Sequence, residues 1–258
     1  RGEGPRVHRP VREHGDVESL IVPDPREELS YVFDTVRLVR RELDGKVPLI
    51  GFAGAPFTVA SYLIEGGRSA DYRMAKQLMW SRPDTWHQLM TKLSAVTSLY
   101  LRAQVEAGAQ ALQLFDSWVG ALSIGDYRRY VQPYVAKIFS ELQDLGVPLI
   151  HFGTNTAHLL EAQREAGGSV IGVDWRVDLG VAWRLLGSDC AIQGNLDPLM
   201  LLAEPEIAVA AAKTVLQQVA GRPGHIFHVG HGLVPQTPVE TVRAVVEAVH
   251  EYRHEAAG

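Results

Sequence analysis

Apolar residues in this chain fall into short unbroken runs, separated by longer stretches at helical spacing. The first run is Val47-Pro48-Leu49-Ile50-Gly51-Phe52, ending at Gly54-Ala55-Pro56. Residues 109–115, 147–152, 169–173, 190–193 and 225–229 repeat the pattern. Continuous rather than alternating apolarity predicts strands buried on both faces, as in a parallel sheet. Between the runs the spacing predicts a broken helix over 58–80, interrupted at Ser81-Arg82-Pro83, and a long helix over 84–107 closing on Gly108. Further helices are expected over 125–145 with a kink at Pro133, over 156–166, over 179–186, and from the fifth run to about Ala220. A last helix opens with Thr237-Pro238-Val239-Glu240, which reads as a capping box with proline in the first turn. Its apolar stripe is Val242, Val245, Val246 and Val249. Ahead of the first strand, residues 1–19 are polar and aperiodic and read as a loop. Asp24-Pro25 then starts a helix whose stripe is Leu29, Val32, Phe33, Val36, Val39 and Leu43, ending near Asp44-Gly45.

Six strand-then-helix units over about 210 residues give about 35 per unit, the size of a TIM-barrel repeat. The expected fold is therefore α/β: one (β/α)₈ barrel domain over residues 1–258, with about six of the eight units present in this chain. The two N-terminal units, roughly 70 residues on the same spacing, are expected to lie outside it. A six-stranded parallel sheet left open would carry two exposed edges. An open doubly wound sheet is the alternative, but no Gly-x-Gly-x-x-Gly turn follows the early strands.

Composition narrows the function classes. At 46% hydrophobic and 21% charged, the 258 residues suit a globular core. A formal net charge of −5 argues against non-specific nucleic-acid binding. It leaves room for a small anionic ligand, because a few arginines in a cleft override a negative total. Cys190 is the single cysteine, so no disulfide forms within the chain and a reducing cytosol is expected. No apolar run reaches the roughly 18 residues of a membrane-spanning helix. The opening Arg1-Gly2-Glu3-Gly4-Pro5 is neither a signal peptide nor a normal translation start.

In such barrels the chemistry sits at the C-terminal ends of the strands. Those ends read Gly54-Ala55-Pro56-Phe57-Thr58, Asp116-Ser117-Trp118, Gly153-Thr154-Asn155, Asp174-Trp175, Gly194-Asn195-Leu196-Asp197 and Gly230-His231-Gly232. Any one of these residues could simply be turn chemistry; six such ends at one rim point to a site. His231, between two glycines, has room to turn its ring toward a pocket. His225, His228 and His231 do not make a metal cluster, since strand alternation sends 225 and 231 one way and 228 the other. No zinc-ligand spacing is present. Ser117 beside Asp116 has no paired base and no Gly-x-Ser-x-Gly context, so it reads as a hydrogen-bonding serine, not a nucleophile. Tyr62 follows the first strand exit closely enough to reach the rim. Trp80 and Trp86 read as packing residues, and Arg128-Arg129 as a solvated helix face.

At these ends the chain resembles the uroporphyrinogen decarboxylase family. GFAGAPFT with SYLIEGG (51–58, 61–67), ALQLFDSW (111–118), GVDW (172–175), QGNLDP (193–198) and GHGLVP (230–235) look like that family's motifs, in its order. The resemblance implies a cofactor-free barrel enzyme, a cytoplasmic homodimer. It would remove the carboxyl groups of the four acetate arms of uroporphyrinogen III to give coproporphyrinogen III in haem biosynthesis. It implies substrate contacts from Tyr62, Ser117 and His231, and no metal. The family's arginine-rich loop after the first strand and its key aspartate after the second would both fall before residue 1, so the catalytic residue is unassigned here. On that expectation this chain alone is inactive. Two rivals remain: a zinc-dependent corrinoid or thiol methyltransferase of the same superfamily, disfavoured by the single cysteine, and a non-catalytic truncated barrel.

Overall fold

Six parallel strands pair in the order in which the chain makes them, each joined to the next through helical connections. The structure is a computed structural model and describes residues 7–67, 69–187, 189–219 and 221–253. Thus residues 1–6 of the expected N-terminal loop, and Ala220, lie outside the described residues. The elements in chain order are α1 (His14–Ser19), α2 (Pro25–Glu28), α3 (Ser30–Leu43), β1 (Ile50–Gly54), α4 (Pro56–Glu65), α5 (Arg73–Ser81), α6 (Pro83–Glu106) and β2 (Ala111–Asp116). Then come α7 (Ile124–Tyr130), α8 (Gln132–Leu142), β3 (Leu149–Gly153), α9 (Leu160–Ala166), β4 (Val170–Gly172), α10 (Leu179–Leu186), β5 (Ala191–Leu196), α11 (Pro205–Gln218), β6 (His225–Val229) and α12 (Val239–Glu251).

The sheet curls into an arc of a barrel. Two strands lie between β2 and β5, so on a flat sheet their side chains would be about 14 Å apart. Yet Gln193 Nε2 on β5 donates to Gln113 Oε1 on β2 at 3.3 Å. Likewise Phe152 on β3 meets the ring of His228 on β6, with centroids 6.4 Å apart. Alternation then assigns the faces. Phe52, Gln113, Phe115, Phe152, Gln193 and His228 point to the barrel interior. Leu112, Leu114, Ile171 and Ile192, all nearly fully buried, face the helices.

Each end of the arc has one strand neighbour among the described residues. On β1, alternation turns the Phe52 N–H and C=O away from β2. There the Gln104 side chain of α6 takes the place of a strand: it accepts from Phe52 N at 3.0 Å and donates to Phe52 O at 2.9 Å.

Several expectations are corrected. Residues 14–19 are helical, because the Asp16 carboxylate accepts the backbone N–H groups of Arg12 and Glu13 at 2.8 and 3.0 Å and so starts a turn. The single helix expected from Asp24 divides at Leu29 (φ −125°, ψ 30°). Of its stripe only Phe33 is buried, packing with Ala103 and Ala107. The 125–145 helix breaks at Val131 rather than kinking at Pro133, which instead occupies the first turn of α8. The fifth strand starts one residue after Cys190 and continues to Leu196; a 3₁₀ turn at Pro198–Leu202 separates it from α11. The Thr237 capping box does not form. Pro238 is the N-cap of α12, no side chain caps it, and Thr237 Oγ1 is buried without a partner. Val242, Val245 and Val249 pack inward, whereas Val246 is 46% exposed. Trp86 is a core residue, its Nε1 donating to Tyr130 O at 2.9 Å. Trp80 is not: it is 53% exposed, with Nε1 donating to Asp126 at 3.1 Å. Arg128 is tied by a 2.8 Å ion pair to Glu165.

Candidate active site

The six strand exits share one end of the arc, and the first two are fastened together. Thr58, in the first turn of α4, donates its hydroxyl to Asp116 Oδ1 at 3.4 Å and accepts from Trp118 N–H at 3.4 Å. One turn further on the same helix face stands Tyr62. Its ring lies against Trp118, centroids 4.3 Å apart, and Tyr72 packs on the same indole at 5.2 Å. Ser117 lies between Asp116 and Trp118. Alternation turns Asp116 toward the helices and Ser117 toward the barrel mouth. Ser117 is half-buried, and its carbonyl accepts the Thr154 hydroxyl of the third exit. No protein partner holds the Ser117 hydroxyl among the described residues, which leaves it free to donate.

Asp116 is strongly perturbed. It is fully buried, Oδ2 has no partner, and burial pushes its carboxyl up to about 7 against the weaker pull of Thr58. Tyr127 of α7 shares the pocket. Its buried hydroxyl is unpaired, and burial followed by the nearby Asp116 charge drives its ionisation well upward. A neutral carboxylic acid is the favoured form in such surroundings.

The remaining exits are braced through Asp174. Its carboxylate accepts Asn155 N–H at 2.6 Å and Arg176 N–H at 3.1 Å, and pairs with the Arg176 guanidinium. Asn195 on β5 donates its side-chain amide to Asp174 O at 2.9 Å and Val177 O at 2.6 Å. Gly230 closes against this brace. A Cβ there would lie 2.6 Å from Trp175 N and 3.0 Å from Asp174 Cα, so only glycine fits. His231 follows directly and is exposed at the mouth.

Of the three residues singled out in the sequence, Tyr62 and Ser117 are therefore brought together through Trp118. His231 stands at the far end of the arc, with no direct contact to either among the described residues. It lies close enough to His228 to help burial lower that ring's affinity for a proton. His225 faces away: its Nε2 lies 2.8 Å from Gly194 O and its ring packs toward Trp183. The three histidines are thus dispersed, and among the described residues no three His, Cys, Asp or Glu side chains cluster to hold a metal. Cys190 is buried just before β5, at the opposite end of the strand from the mouth.

Sequence reasoning missed two features. One is the buried Asp116–Thr58 link, whose signal was the 58/62 helical spacing. The other is Arg176, which directly follows Asp174-Trp175. The well-formed apolar groove of about 540 Å³ lies elsewhere, along the free side of β1 between Phe52, Ile21 and Tyr100. It lacks the convergent polar groups of a carboxylate site.

A curled parallel α/β sheet whose strand exits gather polar residues at one end is the architecture of α/β-barrel enzymes, whose sites lie at those exits. The sequence profile described as "Uroporphyrinogen decarboxylase (URO-D)" matches residues 1–252, and the chain belongs to that family. A protein of Sorangium cellulosum called uroporphyrinogen decarboxylase is 62% identical over 250 residues, 97% of this chain and 72% of that protein. One of the same name from Carboxydothermus hydrogenoformans is 51% identical over 251 residues, again 97% and 72%. Among solved structures, a methyltransferase from Methanosarcina mazei superposes with a TM-score of 0.79 at 21% identity, covering 91% of this chain and 68% of that one. That likeness speaks to the fold alone.

Proposed function

We propose that this chain is the greater part of a uroporphyrinogen decarboxylase barrel, acting on the four acetate arms of uroporphyrinogen to give coproporphyrinogen in haem biosynthesis. The observation that supports this most strongly is the 62% identity to a named relative across 97% of the chain. The placement of Tyr62, Ser117 and His231 at one barrel mouth agrees with it. The methyltransferase reading finds no cysteine at that mouth.

The chemistry suits a site built from hydrogen-bond donors. A proton adds to a pyrrole ring carbon and places positive charge on the ring nitrogen. The bond between the acetate methylene and its carboxylate then breaks, CO₂ leaves, and the electron pair neutralises the cation. A second proton converts the exocyclic methylene to methyl, and loss of the ring proton restores the pyrrole. The net change is one proton taken up and one CO₂ released per arm. The pyrrole is its own electron sink, so the protein must orient the macrocycle and stabilise the cation.

In this reading the Tyr62 and Ser117 hydroxyls and an N–H of His231 donate to substrate carboxylates. The resemblance assigns stabilisation of the cation to an aspartate on a unit that the described strands do not include. The reading extends to a cytoplasmic homodimer, tested by sedimentation. Within the assembled barrel, His231→Ala is expected to lower kcat/KM for uroporphyrinogen about ten- to hundredfold, the worth of one charge-assisted bond. The exposed ring supports no core, so thermal unfolding should not move. Unchanged kinetics would reject the role.

A further inference from the structure

We propose that Arg176, at the exit of β4, is an anchoring site for a substrate carboxylate that the reaction leaves in place; this rests on the decarboxylase reading above. The guanidinium is held at two points. It lies over the Trp175 indole, 4.0 Å from the ring centroid, and one of its nitrogens, Nη1, pairs with the buried Asp174 carboxylate. Nε and Nη2 have no protein partner among the described residues, and the side chain is 46% exposed. A planar fork fixed on one edge and open on the other matches the two oxygens of a carboxylate. Because its rotamers are already restrained, little entropy is lost when the ligand binds.

The position fits. Trp175 packs directly on Gly230, where a Cβ would come within 3.0 Å of the indole Cε3. The platform beneath Arg176 therefore adjoins the residue that precedes His231. In a chain of net charge −5, a substrate with many carboxylates needs local cations, and Arg176 is an arginine placed directly at a strand exit, beside Asp174. The choice of a retained carboxylate follows from the chemistry. A guanidinium stabilises a carboxylate in the ground state, which opposes its departure as neutral CO₂. Contact with a spectator arm acts equally before and during the reaction, so it affects KM and not kcat.

The test uses the full chain within its assembled barrel and two variants, Arg176→Met and Arg176→Lys. Three quantities are read: uroporphyrinogen kinetics, thermal unfolding, and uroporphyrin affinity from quenching of tryptophan fluorescence. Arg176→Met is expected to raise KM and the uroporphyrin Kd about ten- to hundredfold, with kcat within about twofold. Arg176→Lys keeps a cation beside Asp174 but loses the fork. It should restore any stability lost in the methionine variant while leaving KM raised. Unchanged KM and Kd in both variants would overturn the proposal. So would full recovery of KM by lysine, which would make Arg176 only a partner for Asp174. If the wild type binds uroporphyrin through Arg176 but turns over no uroporphyrinogen, the decarboxylase reading fails and the carboxylate site stands.

Discussion

An ionised carboxylate at Asp116 would sit in a dry pocket with one weak donor, and the fold resists that by holding the proton. Its ordinary value is 3.8, and burial moves it up to about 7. Between those values the unfolded chain is ionised while the native state is not, so the native state binds more protons and stability falls as pH rises. The contribution is whole below about pH 4 and is lost by about pH 7. His151, buried behind β3 and lowered by burial to about 4, runs the other way, favouring the fold as pH rises from 4 toward 6.5. Asp116→Asn separates the two. It keeps the acceptor for Thr58 and cannot ionise, so its Tm should exceed that of the wild type by a margin that widens from pH 5 to pH 8. A margin independent of pH would show that Asp116 is ionised throughout. At this scale the sequence could place Asp116 beside Ser117 but could not tell which faced the mouth. That depends on the alternation of β2 and on helices brought over it from positions 58 and 127.

The strands were legible because each is a short apolar run; the four inner ones, β2 to β5, keep their middle residues buried, whereas β1 exposes Phe52 and no residue of β6 is fully buried. The helical segments were less so. The stripe from Leu29 to Leu43 suggested a buried face, yet α3 packs mainly on α2 and α6, where Phe33 alone is buried and Leu29 and Val36 are partly covered beside it. Thr237 failed as a cap because Pro238 takes that place instead. Gly120, just past the second exit, was not singled out in the sequence, and there the constraint is contact. A Cβ there would run into the carbonyl oxygens of Thr154 and Asn155, joining the second exit to the third. Gly120→Ala should therefore cost about 1–3 kcal/mol, lowering Tm by roughly 2–10 °C. Since the displaced loop begins at Ser117, uroporphyrin affinity should fall with it. An unchanged Tm would mean that the two exits are not in the contact described.

At the scale of the whole molecule, six strands curl far enough for β2 to touch β5 and β3 to touch β6, but β1 and β6 do not meet. Tyr62 and Ser117 stand near one end of this arc and His231 at the other. A macrocycle spanning them would lie across the mouth between the two free edges. The period of about 35 residues made the six strand–helix units of the arc legible, and the motifs at the exits made the family legible. The pairing of Arg176 with Trp175 and Asp174 was not, because adjacent residues at a strand exit show their geometry only after folding. The central proposal is that this arc belongs to a decarboxylase, with further chemistry carried by the part of its relatives' length that the chain does not span. It is tested most directly by anaerobic incubation with uroporphyrinogen, counting product carboxyls, for this chain and for one carrying the N-terminal strand–helix units of a relative. Loss of four carboxyls per molecule in the extended form, with none in the chain alone, is the predicted result. Two folded proteins that both leave the substrate intact would contradict it.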